Sequence, residues 1–148
     1  MPFRKRKVYV ALDDLSVVIA RVVGVMTLKE RFGHWREILI ENPARVNYAV
    51  ITDLSQWSGF ISEEDIYTIV AWNAQFRQEN DVPHGQPGRL AWVGRDGAGL
   101  NLLVDMVNKI RPNHAFHTAT VQQAWELVMP DVAMPPVAKK FFRRALIF

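Results

Sequence analysis

One short stretch, ITDLSQWSGFISEEDI (Ile51–Ile66), concentrates the side chains most capable of chemistry. It sets Asp53 beside Ser55, Ser58 and Ser62, with Trp57 and Phe60 between the hydroxyls. A serine acting as a nucleophile needs an adjacent base that is itself oriented, and no histidine is placed to complete such a triad. Binding therefore remains for these residues. Ser62 has two competing roles. As a helix N-cap its oxygen accepts a backbone N–H, worth about 1 kcal/mol. As a phosphoacceptor it would face Glu63, Glu64 and Asp65, whose charges repel a phosphate, so the cap is the expected role. Trp57 and Phe60 are large aromatics in a polar setting, which either fold back over the sheet or anchor a partner.

Other candidates are thinner. Gly94-Arg95-Asp96-Gly97-Ala98-Gly99 precedes a helical pattern and could cradle an anion on backbone N–H groups, but it lacks the Gly-Lys-Ser/Thr ending of a phosphate loop. An ordinary turn is expected there. His114 and His117 stand three apart on an extended segment, which sends them to opposite faces. Glu30, His34 and Glu37 share a helix face that reads as solvated, with no further ligand type nearby. The sequence therefore predicts no metal and no cofactor, and no convergent acid–base pair that would mark an enzyme.

Elements that could position these residues are legible in the patterning. Val8–Leu12 and Val17–Val25 are rich in β-branched residues and flank the polar turn Asp13–Ser16, which predicts an antiparallel hairpin. Thr27 and Glu30 have capping-box spacing, and Leu28, Phe32, Trp35 and Leu39 form an apolar helical stripe ended by Asn42-Pro43. Strand and helix then alternate: strands at 48–52, 89–93 and 115–118, helices at 62–78, 100–110 and 121–129, the last with a Thr120/Gln123 box. The expectation is an α/β fold: a mixed, mostly parallel sheet of about five strands with about four helices and an N-terminal hairpin. The domain would cover 8–130, between a basic tail at 1–7 and a basic amphipathic tail at 131–148.

The loops beyond the carboxyl ends of the strands are where such folds meet ligands and partners. Starting at Met26, Asp53, Gly94 and Thr118, they place Thr27, Asp53, Ser55, Trp57, Ser58, Ser62, Arg95, Asp96, Asn101 and Thr120 on one rim. The segments RVVGVMTLKE, YAVITDLS and FISEEDI, taken in this order, resemble the STAS-like group of SpoIIAA-like anti-sigma-factor antagonists, over roughly residues 8–129. That resemblance implies a domain that binds a partner kinase or other regulator. Its members carry a phosphorylated serine in an Asp-Ser-x-Gly turn. Here the turn reads Phe60-Ile61-Ser62-Glu63-Glu64, which resembles divergent stand-alone members instead.

Composition bounds the rest. With 148 residues, 49% hydrophobic, the chain suits one domain with a real core, and it has no apolar run long enough to span a membrane. The absence of cysteine excludes disulfides and thiolate chemistry. A cytoplasmic, bacterial protein is expected. The net charge of +3 is unevenly spread: eight of the 18 Lys and Arg lie in Arg4–Lys7 and in Lys139, Lys140, Arg143 and Arg144, leaving ten against all 15 acids between. An acidic body argues against specific nucleic-acid binding. In the C-terminal segment Phe141 and Phe142 oppose those four cations, a pattern that packs on the body or a second copy, docks a partner, or lies on an anionic membrane. The sequence thus predicts a non-enzymatic, homodimeric module for protein–protein regulation. The alternative is a small-molecule or lipid carrier, which needs an enclosed apolar cavity between the sheet and Trp35, Trp72 or Trp125.

Overall fold

In the computed structural model, which describes residues 7–83, 87–95 and 99–143, the two Val-rich segments pair as a hairpin. Strand β1 (Tyr9–Leu12) runs antiparallel to β2 (Val17–Gly24). Strands β3 (Ala49–Trp57), β4 (Leu90–Val93) and β5 (Ala115–Thr118) then add in parallel, giving the sequential order β1-β2-β3-β4-β5. The α/β fold with a mixed, mostly parallel five-stranded sheet is thus as expected.

Two details differ from the sequence reading. Strand β3 does not stop at Thr52. After a register shift between Arg21 and Val23, Gln56 and Trp57 pair with Val23 and Gly24, so Asp53, Ser55 and Trp57 belong to the strand and not to a loop. The described residues also form five α-helices, not four: α1 (Leu28–Glu41), α2 (Glu63–Glu79), α3 (Leu100–Ile110), α4 (Val121–Val128) and α5 (Pro136–Arg143). The fifth comes from the basic C-terminal segment. Capping boxes start three of them, at Thr27, Ser62 and Thr120. No described helix is long and apolar enough to cross a membrane.

Strand order dictates where the helices go. Crossovers of one hand between neighbouring strands taken in sequence must all pass over the same face. Helices α1, α2 and α3 accordingly cover the face that carries Tyr9, Val50, Thr52, Leu90 and Trp92. The opposite face, built from Leu12, Val17, Ile19, Ala49, Ile51, Ala91 and Val93, packs against Ala124, Trp125 and Val128 of α4 and Ala138 and Phe142 of α5. The Trp125 indole donates to the Val132 carbonyl at 2.7 Å, which satisfies its one polar atom inside that core.

A charged clamp ties the hairpin to the helical layer. Arg45, in a 3₁₀ turn at Pro43–Asn47, is only 8% exposed. It donates to both Asp13 oxygens at 3.0 and 2.8 Å, to Glu41 at 2.9 Å and to the Ile38 carbonyl at 2.9 Å. Tyr48 adds a bond to Asp13 at 2.9 Å. The Arg45 guanidinium, helped by Tyr48, holds the Asp13 carboxyl below its ordinary range. A depressed folded pKa means stability that is present above the unfolded carboxyl pKa and lost as pH falls through the folded one. Asp13→Asn should therefore lower stability near neutral pH and flatten the acid limb of a stability–pH profile taken down to about pH 3. Parallel acid limbs in the variant and the parent would show that the clamp does not couple to folding.

Candidate functional site

The rim at the carboxyl ends of the strands is largely bonded to itself. Asp53 is buried and accepts from the Ser55 N–H at 3.0 Å, while Ser55 is exposed. Trp57 folds back: its indole donates to the Met26 carbonyl at 3.0 Å, and the Arg31 guanidinium lies 5.9 Å from its ring centroid. Gly59 is needed beneath it, since a Cβ there would overlap the indole. The exposed Ser58 donates to the Gly24 carbonyl through both Oγ and N, each at 2.8 Å, which joins this loop to the β2–α1 loop. Ser62 caps α2, accepting from Asp65 N at 3.1 Å while its own N–H donates to the Asp65 carboxylate at 3.0 Å. Phe60 does not fold back and is 62% exposed, and Val25, which follows Gly24 in the joined loop, is 84% exposed.

On the far side of the rim, Arg95 is exposed and Asp96 lies outside the described residues. Gly99 begins α3 with φ of 82°, and the Ile61 carbonyl occupies the space a side chain there would need, so the chain itself fills that helix start. His117 sits between the Gly94 carbonyl at 2.8 Å and Asn101 Oδ1 at 3.0 Å. In the C-terminal segment Phe142 is buried and Phe141 half-buried, while Lys139, Lys140 and Arg143 are exposed, and Arg144 lies outside the described residues. Buried Arg21 donates to the Phe141 carbonyl at 2.7 Å and lies 5.2 Å from its ring. Phe141 and Phe142 thus pack toward the sheet while Lys139, Lys140 and Arg143 face solvent.

A different feature stands out on the other face. Between the sheet and helices α1–α3 lies a cavity of about 240 Å³. Val50, Leu90 and Trp92 form its apolar floor and Phe32, Trp35 and Ile69 part of its roof. That volume lies between the roughly 150 Å³ of a cavity that takes benzene and the roughly 300 Å³ at which pockets for drug-sized ligands begin. One seam is closed by stacked rings, Phe32 on Trp72 at 5.3 Å and Trp72 on Phe76 at 5.6 Å. Trp35 also donates to Asn73 at 3.0 Å across the same seam. The lining reaches solvent at Val70 and at Ile110, which is 67% exposed, so the cavity opens between α2 and α3.

Its polar content is one-sided. Arg31, Arg77, Arg111 and His114 line it, and no Asp or Glu among the described residues does. Arg31 is 8% exposed, yet its Nε has no hydrogen-bond partner among the described residues, and neither does the buried Nε2 of His114. Arg77 donates to Asn47 at 3.2 Å and to the Val46 carbonyl at 3.3 Å, both neutral. Burial first, and the charge of Arg111 second, pull Arg77 below the ordinary guanidinium range.

None of the three cavity arginines was singled out in the sequence, although each had a signal. Arg31 follows Leu28 by three and precedes Trp35 by four, so it interrupts an apolar stripe. Arg77 continues the series Ile66, Ile69, Val70, Asn73, and Arg111 follows Leu103 and Val107 at steps of four. A polar residue on the inward stripe of all three crossover helices marks a lined interior.

Comparisons with protein-family models, with curated proteins and with solved structures find no match to this chain. Function is therefore argued from the geometry. A buried guanidinium without an anion is costly, and one face of Trp57 offsets only part of the loss. Arg31→Met should raise the stability of the ligand-free protein by about 1–2 kcal/mol, the order found when buried charges yield to apolar side chains of similar volume. Urea unfolding of both proteins measures it, and a clear loss of stability in the variant would mean that Arg31 is a structural strut.

Proposed function

We propose that this chain is a binding protein for a small, largely apolar molecule, held in the cavity between the sheet and helices α1–α3. The observation that carries this reading is that cavity itself: two tryptophans, Trp35 and Trp92, are among the residues that line it, and two other lining residues, Arg31 and His114, each have a buried polar atom unpartnered among the described residues. Evolved interiors are packed to near-crystalline density and satisfy their buried donors, so a void that breaks both rules together points to a missing occupant. Trp35 is also one of the three tryptophans against which the carrier alternative required its cavity.

A regulatory contact surface of the STAS-like type is the second reading. It is favoured by Phe60 and Val25, two exposed apolar side chains on loops joined through Ser58 and Gly24. The element order, from N-terminal hairpin to alternating helices and parallel strands, is what supports the STAS-like assignment. In this reading the partner is a regulatory protein and the module acts as a homodimer, with Lys139, Lys140 and Arg143 free to meet it or an anionic membrane.

Native mass spectrometry of gently purified full-length protein tests the first reading, with a retained small molecule as the expected result. In parallel, an apolar probe such as 1-octanol should change the tryptophan fluorescence, and Val107→Trp or Ile69→Trp, each filling the cavity, should abolish that response without lowering the melting temperature. An unchanged response in both filled variants would place the binding elsewhere. Separately, Phe60→Ala should leave folding intact and weaken self-association or capture of a regulator, and unaltered association would remove that loop from the account.

A further inference from the structure

We infer that the ligand is an amphipathic anion: a carboxylate or phosphate monoester at the mouth, held by Arg77, Arg111 and His114, with an apolar chain running inward along Val50, Leu90 and Trp92. This inference rests on the cavity being a binding site and adds the chemistry of its occupant.

The three polar residues converge on one end of the cavity. Arg77 lies near the end of α2, Arg111 caps α3, and His114 directly precedes β5, so all three sit at the amino edge of the parallel strands. This is the edge opposite the rim that the sequence pointed to. The Arg77 and Arg111 guanidiniums both line the cavity, close enough for Arg111 to depress Arg77, and no carboxylate among the described residues lines it. Arg77 makes only neutral hydrogen bonds, and the Arg111 side chain makes no hydrogen bond or ion pair with any described residue. With Nε2 of His114 buried and unpartnered beside them, the cluster offers positive charge that no anion among the described residues balances. Guanidinium forks match carboxylate and phosphate oxygens, often in bidentate pairs.

Orientation follows from solvent. The lining reaches solvent at Ile110, next to Arg111, so a head group there keeps part of its hydration while the chain is buried. From the level of His114 to that of Trp92 the sheet rises three residues, about 10 Å, which suits an extended chain of medium length. The reverse orientation would put the head on Arg31 at the far end, where the guanidinium already lies against Trp57.

Calorimetric titration of the full chain with octanoate, decanoate, decyl phosphate, 1-octanol and 1-decanol tests this. The anions should bind about tenfold to a hundredfold tighter than the alcohols, the range expected for hydrogen bonds to a charged group. That advantage should shrink as salt is added. Arg111→Gln, whose side chain holds nothing in the fold, should remove most of the advantage and leave the alcohols unchanged. Arg31→Met should retain it. Equal binding of alcohols and acids would overturn the anion inference while the cavity reading stands. Loss of the advantage in Arg31→Met but not in Arg111→Gln would overturn the placement of the head. Binding of no probe would overturn both the inference and the reading beneath it. A preference between decanoate and decyl phosphate would identify the head group.

Discussion

Sequential strand order is the constraint on which the rest of this molecule depends. Because β2, β3, β4 and β5 are parallel neighbours in chain order, three crossovers must stack on one face. That leaves the second face bare until α4 and α5 reach it. The two faces are then finished by different means. Trp125 and Phe142 close the second face as a solid core with the small Ala124 and Ala138 set between larger groups. On the first face three helices of unequal length, spread over a sheet whose last two strands have only four residues each, are zipped at one seam and open at the other.

Three buried arginines show how differently this fold treats charge. Arg45 and Arg31 are equally buried, but Arg45 has two carboxylates and a carbonyl, whereas the Nε of Arg31 has no partner. Arg21 belongs to a third kind, held by the Phe141 carbonyl and ring so that a cation fastens the last helix to the sheet. A protein of 148 residues has a net stability of roughly 5–15 kcal/mol, so an uncompensated buried cation is a substantial concession. Such concessions concentrate at sites of function, where structure is arranged for something other than its own stability.

Local chemistry was legible in the sequence and long-range closure was not. The caps at Thr27, Ser62 and Thr120 are read from residues three apart, and the hairpin turn from four polar residues between Val-rich runs. The continuation of β3 to Trp57 needed knowledge of a register shift in β2, which no local pattern encodes. Trp57 had two readings on sequence alone, and only the geometry of Met26, Arg31 and Gly59 shows it turned inward. The cavity was hidden for a related reason. Periodicity counts apolar positions, and Arg31, Arg77 and Arg111 look like lapses in three separate stripes until the fold turns those stripes toward a common space.

The bond from Arg21 to Phe141 spans 120 residues, and it gives the fold a timetable. Each strand pairs with its predecessor, so the sheet can lengthen in step with synthesis, one neighbour at a time. Its first face is thatched as it grows, because every crossover helix is made before the strand that follows it. Its second face, with Ile19, Ile51 and Ala91 in a row, stays uncovered until residues 121–143 arrive. A nascent chain halted before that point would display a nearly finished sheet with one greasy side, the kind of surface that chaperones hold and aggregates recruit. The short basic helix that closes it is thus the step that turns an adhesive intermediate into a finished protein.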